Sequence, residues 1–143
     1  MTRDMIKAMA RRMGYTISRY NPLRDPRAFR RQWFDRFGID ILIDVGANIG
    51  QYARGVRADG FQGRIISFEP LRAAFKILEA NARQDGNWVA VNKAIGDRSG
   101  SAEINVAGNS WSSSLLAMQP RHLDSAPESR YVAKERLESA RCS

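Results

Sequence analysis

The run Ile39-Asp40-Ile41-Leu42-Ile43-Asp44-Val45-Gly46-Ala47-Asn48-Ile49-Gly50-Gln51 constrains this chain more than any other. Its apolar, branched first half stops at an acid and passes into a glycine-punctuated turn, the pattern of a buried parallel strand that feeds a loop and a helix. Gly46 and Gly50 permit a sharp turn and a close approach of the backbone to a ligand, while amides at the start of the next helix point into the crook. Asp44 falls at the carboxyl end of the strand, where ligands of open α/β sheets lie. A dinucleotide fingerprint of the GxGxxG kind would require glycine at positions 48 and 51, which are Asn48 and Gln51. A pyrophosphate ligand is therefore disfavoured, and with it a nicotinamide dehydrogenase.

An acid ahead of the glycines suits a ligand with a positive group and no phosphates, and S-adenosylmethionine carries an ammonium, a sulfonium and a carboxylate. Asp44-Val45-Gly46-Ala47-Asn48-Ile49-Gly50-Gln51, followed by Phe68-Glu69-Pro70, resembles the FkbM family of S-adenosylmethionine-dependent methyltransferases. The resemblance implies an α/β, Rossmann-like doubly wound sheet and O-methylation of a hydroxyl on a small molecule, sugar or natural product. It implies a cofactor site shaped by Asp44, Gly46, Ala47, Asn48, Gly50 and Gln51 around the methionine part. The alternative for the turn is a tight strand-to-helix connection with no ligand.

Further along, Arg64 to Glu69 reads as a second strand closed by Pro70, so strand, helix and strand form a βαβ unit. Glu69 falls at the strand end, nineteen positions after Gly50, where an acid can accept hydrogen bonds from ribose hydroxyls. Capping of the helix that begins at Pro70 is the structural alternative. Leu71, Phe75, Leu78 and Ala82 give that helix an apolar face, and Asp85-Gly86-Asn87 breaks it. Trp88 to Ile95 reads as a third strand closed by Gly96-Asp97. In related methyltransferases an acid after this strand contacts the adenine amino group, and the resemblance places that role on Asp97, although a Gly-Asp turn needs no ligand to explain it. Ser101 to Val106 alternates as a half-exposed strand. Ser110-Trp111-Ser112-Ser113-Ser114-Leu115 resembles a serine-rich turn of the family, able to bind a substrate or a cofactor carboxylate and equally consistent with a solvated loop. Residues 119 to 130 read as loop, and Tyr131 to Leu137 as one more strand.

Charge divides the chain. Residues 1 to 37 hold ten Lys/Arg against three Asp/Glu, a net of +7, whereas residues 38 to 143 hold thirteen against twelve, a net of +1. The spacing of Met5, Ile6, Met9 and Met13 among Arg3, Lys7, Arg11 and Arg12 predicts a basic amphipathic helix ending near Gly14. Asn21-Pro22 and Asp25-Pro26 punctuate a loop, with Asp25 as cap of a second helix whose Phe29, Trp33 and Phe37 are expected to form its buried stripe. Residues 1–37 thus make a basic helical arm, and residues 38–143 a methyltransferase-like domain. The arm could touch an anionic lipid surface, a phosphate backbone or an acidic substrate, but the near-neutral remainder gives no reason to expect a specific nucleic-acid partner. No apolar run is long enough for a transmembrane segment or a signal peptide, which points to a cytoplasmic protein. Cys142, the sole cysteine, excludes an internal disulfide.

The resemblance covers about residues 39 to 137. In the family the sheet continues beyond this point, so the chain is expected to be a fragment or a truncated frame, incomplete at the C-terminus. The Ile39 strand would then be an exposed apolar edge, open to homo-oligomer formation. The acceptor-side residues and the catalytic base are not assigned; His122, the one histidine, is expected to be an ordinary surface residue. Two other readings stay open: a non-catalytic, truncated remnant that binds S-adenosylmethionine or nothing, and an RNA or nucleic-acid-binding protein that uses the arm.

Overall fold

The computed structural model describes residues 3–17, 26–109 and 111–141 of the chain. The expected cap at Asp25, the Asn21-Pro22 turn, Ser110 and Cys142 lie outside the described residues. Among those described, the order is helix α1 (Arg3–Arg12), helix α2 (Pro26–Phe37), strand β1 (Ile41–Val45), helix α3 (Gln51–Ala58), strand β2 (Arg64–Phe68), helix α4 (Arg72–Ala82), strands β3 (Trp88–Val91), β4 (Ala94–Gly96) and β5 (Gly100–Ala107), helix α5 (Pro120–Ser125), a 3₁₀ turn (Pro127–Ser129) and strand β6 (Tyr131–Arg141). The chain is mixed α/β with two small sheets. One is parallel, in the order β1-β2-β3; in the other β6 lies between β4, to which it runs parallel, and β5, to which it runs antiparallel.

Alternation decides which face of the parallel sheet is covered. Ile65 and Ser67 of β2 and Trp88 of β3 are buried, and Ile65 and Trp88 form a core with Ala53 and Val56 of α3, Leu78 and Ala82 of α4, Ala47 and Phe61. Side chains of the intervening positions point to the opposite face. There Ile41, Ile43 and Val45 are 52%, 62% and 58% exposed. The expectation of a buried strand thus holds for one face only, and β1 is, as expected, the edge of its sheet among the described residues.

Arg57 fastens the end of the sheet remote from the glycine turn. Its Nη1 donates to the carbonyls of Phe61 and Gly63, both at 2.7 Å, and its Nη2 to that of Asn87 at 3.1 Å. Nε and Nη2 grip the two oxygens of Asp85 at 2.6 and 3.2 Å. The guanidinium fork thereby ties α3 to the segments that enter β2 and β3, and it holds the Asp85 carboxyl below its ordinary value.

Four further expectations are corrected. In α2 the stripe Phe29, Trp33 and Phe37 is 45%, 48% and 58% exposed, its rings tilted against one another at 5.4 and 5.2 Å between centroids, with the Arg36 guanidinium 5.7 Å from the Phe37 ring. The neighbouring stripe faces inward, because Arg30 bonds Asp59 at the end of α3 and Phe34 meets Phe61 at 4.8 Å. Trp88 to Ile95 is two strands in two sheets: Asn92 turns its amide onto the carbonyls of Glu69 and Pro70, at 2.8 and 3.0 Å, and the chain leaves the parallel sheet there. Residues 119 to 130 hold α5 and a 3₁₀ turn instead of loop, each started by a proline in its first turn. Strand β6 also runs on past Leu137 to Arg141.

Candidate functional site

The glycine turn closes over the carboxyl ends of β1 and β2. Gly46 and Ala47 both donate their amides to the Phe68 carbonyl, at 2.9 and 3.0 Å, and the Gly50 amide returns to Ala47 at 2.8 Å. Such a fold needs left-handed backbone, and Gly46, Asn48 and Gly50 take φ of 76°, 50° and 88°. Asn48 is one of the few residue types besides glycine that tolerate this region.

The two glycines have different reasons to be glycine. A Cβ on Gly50 would stand 2.7 Å from the Trp88 indole and 3.0 Å from Leu78, so the close approach is to the protein's own core. A Cβ on Gly46 would meet nothing within 4 Å, and Gly46 borders an open cleft.

Glu69 is the centre of this turn. Although only 5% exposed, its carboxylate accepts the Asn48 amide on Oε2 at 2.8 Å and the Leu71 amide on Oε1 at 2.9 Å. Leu71 is the residue at the cap of α4, which begins at Arg72 and not at Pro70, so Glu69 ties the glycine loop to the chain just before that helix without bonding an amide of its first turn. Each oxygen retains a second lone pair, and the residue borders the cleft. This tie and a bond to a ligand hydroxyl are thus compatible.

Asp44 lies on the core side of the sheet. Trp88 Nε1 donates to Ser67 Oγ at 3.0 Å, and Ser67 Oγ donates on to Asp44 at 3.3 Å. Burial raises the Asp44 carboxyl above its ordinary value, more than the bond from Ser67 lowers it.

The cleft measures about 190 Å³ and is lined by Gly46, Asn48, Glu69, Pro70, Leu71, Ile104, Trp111 and Ser113. Of the residues expected at a cofactor site, it gathers Gly46, Asn48 and Glu69. Asp44, Ala47, Gly50 and Gln51 belong to the same turn without lining it, and Asp97 stands in solvent with its side chain 90% exposed, 3.5 Å from Arg98. His122 is exposed on α5 and lies outside the cleft lining.

The far wall comes from the second sheet. Ile104 sits on β5, and the serine-rich turn is pinned to it by the amides and carbonyls of Asn105 and Ser114. Serine hydroxyls do much of the local bonding: Ser113 accepts the Ala107 amide at 3.0 Å, Ser114 the Leu116 amide at 3.1 Å, and Ser112 meets the buried Ser129 at 3.1 Å. Ser113 acts as acceptor in that bond and keeps its own O–H to present. Trp111, 73% exposed, closes the wall. Sequence reasoning named the serine turn but had no signal that it and Ile104 would face Glu69, since the contact joins two different sheets.

Among the described residues no His, Cys, Asp or Glu group could hold a metal ion, and no helix is long and apolar enough to cross a membrane. Comparisons with protein-family models, with curated proteins and with solved structures give no match to this chain.

Proposed function

We propose that the chain holds the cofactor-binding half of an FkbM-like methyltransferase domain, a doubly wound, Rossmann-like sheet that binds S-adenosylmethionine and methylates a hydroxyl of a small-molecule or glycan acceptor. One observation carries this reading. The buried Glu69 carboxylate joins the glycine turn to the chain just before α4 at the carboxyl ends of two parallel strands, and it borders an open cleft there. This is where an acid meets ribose hydroxyls in open α/β sheets.

The residues fit the nucleoside side of such a cofactor. Glu69 has lone pairs to accept two ribose hydroxyls, Gly46 leaves its approach clear of a Cβ, and Ser113 offers a hydroxyl from the opposite wall. Small-molecule sites ordinarily measure about 300–1,000 Å³, so a cleft of about 190 Å³ fits a part of the cofactor. When bound, the sulfonium would supply an electrophilic methyl group. The turn and Glu69 would hold the donor still, which is the main requirement of an in-line displacement. No residue bordering the cleft is assigned as base.

A binding protein without turnover is the second reading, favoured by the same small cleft. Calorimetric titration of the folded chain with S-adenosylhomocysteine, with NADH as competing ligand, tests both. Saturable binding of S-adenosylhomocysteine alone is expected, weakened about 10- to 100-fold in Glu69→Ala as charged hydrogen bonds are lost. Absence of binding by a folded chain, or binding untouched by the substitution, refutes the site; binding without methyl transfer to any hydroxyl acceptor selects the second reading.

A further inference from the structure

Two amphipathic surfaces remain outside the site, and both lie in the basic arm. On α1 and the turn after it, Met5, Ile6, Met9 and Met13 are 57%, 40%, 58% and 60% exposed, recurring at intervals that place them on one side of the helix. Arg3 and Lys7 occupy the other side, and Arg11 and Arg12 flank the stripe. Met5 and Met9 share one shallow hollow with Arg11 and Arg12, so guanidinium and thioether groups stand side by side. On α2 the outward stripe of Phe29, Trp33 and Phe37 is flanked by Arg36, whose guanidinium lies 5.7 Å from the Phe37 ring, while the inward side is already committed, Arg27 and Arg30 to Asp59, Arg31 beside Gly60 and Phe34 against Phe61.

We propose that α1 and α2 form a docking surface for the face of an anionic phospholipid bilayer. Exposed apolar stripes in water are unfavourable, and each of these is bordered by cations. A bilayer surface uses both features at once: the acyl boundary receives methionine and aromatic side chains, and anionic headgroups receive Arg and Lys. Charge complementarity supports that occupant, since the arm carries +7 and the remaining residues +1. A nucleic acid would engage the cations but offer no apolar phase to the methionine stripe, which lies on the side of α1 away from Arg3 and Lys7.

Sedimentation of the full chain with vesicles of phosphatidylcholine, with and without about a third phosphatidylglycerol, tests the proposal. Binding is expected on the anionic vesicles and is expected to weaken as salt rises. Replacing Lys7 and Arg11 together with Gln should weaken it about fivefold per charge. The uncharged pair Met5→Ser and Met9→Ser should weaken it about tenfold or more, as should Trp33→Ser. These side chains are exposed, so an unchanged circular-dichroism spectrum identifies a surface effect. Three results overturn the proposal: no preference for anionic vesicles, vesicle binding indifferent to the methionine and tryptophan replacements, or tighter binding to an RNA or DNA oligonucleotide that those replacements leave intact.

Discussion

Glu69→Gln separates the architectural role of this acid from any role toward a ligand. Both carboxylate oxygens accept backbone amides, from Asn48 at 2.8 Å and from Leu71 at 2.9 Å, and the side chain is buried. Glutamine conserves the shape, but however its amide is turned, the NH₂ group faces one of two N–H donors. One bond survives in neutral form and the other becomes a buried, unpaired donor. Charge-assisted bonds are worth about 1.5–3 kcal/mol each and a neutral one about 1 kcal/mol, so the net loss should be about 2–5 kcal/mol. For a chain of this size that is a substantial share of a stability of about 5–15 kcal/mol. With a urea slope near ~2 kcal/mol per molar, the unfolding midpoint should fall by about 1–2.5 M at unchanged slope. A midpoint within about 0.3 M of the parent chain would refute the geometry, because neither bond could then be contributing as drawn.

The remaining expectations concern strain, protonation and the sheet edge. Gly50→Ala should cost about 2–4 kcal/mol in chemical melts, because it combines left-handed backbone with a clash against Trp88, whereas Gly46→Ala should cost only about 1 kcal/mol, for backbone alone; equal losses would contradict the distinction. Asp85 is held below the ordinary value of 3.8 chiefly by its hydrogen bonds from Arg57, so it stabilises the fold above that value and the contribution is lost as pH falls through the lowered one. Melts of Asp85→Asn should therefore show a loss at neutral pH that closes in acid. Asp44 is raised by burial, so the fold loses stability as pH rises from 3.8 through the raised value, and Asp44→Asn should gain stability at neutral pH; a loss there would show that the charge is compensated. Ile43, 62% exposed on the edge strand, should contribute to self-association, and sedimentation velocity should show a smaller species for Ile43→Lys than for the parent chain. A monomeric parent chain would remove that surface from consideration.

Local chemistry made the first half of the sheet legible. The branched run before Gly46 and the second run before Glu69 read as strands ended by turns, and the helices that follow them carry their buried positions, Val56 in α3 and Leu78 and Ala82 in α4, at helical spacing. Asn48 and Glu69 were legible as residues of interest, though not the bond that joins them across twenty-one positions. The break at Asn92 was hidden because Val91 and Ala94 look equally strand-like; a side chain reaching back to Glu69 and Pro70 decided it. The cleft's far wall was hidden for the same reason, since Ile104 and Ser113 come to Glu69 through the pairing of a second sheet.

Helix α2 shows most sharply where periodicity stops informing. Spacing by four identifies Phe29, Trp33 and Phe37 as sharing one side, and Arg30 and Phe34 as sharing the next, but it says nothing about which side has a partner. Apolar content alone favours burying the three aromatics. The outcome is set by Asp59 and Phe61, which receive Arg27, Arg30 and Phe34 from a distance in sequence and fix the helix by two ion pairs to one carboxylate and one ring contact. Once those are made, the aromatic stripe must face outward, with Arg36 beside it. Charged residues on the docked side and apolar rings on the free side invert the usual arrangement of a surface helix. That inversion turns α2 from a helix that completes the core into one with a second surface still to be covered, which is the physical basis for assigning the arm to a lipid interface.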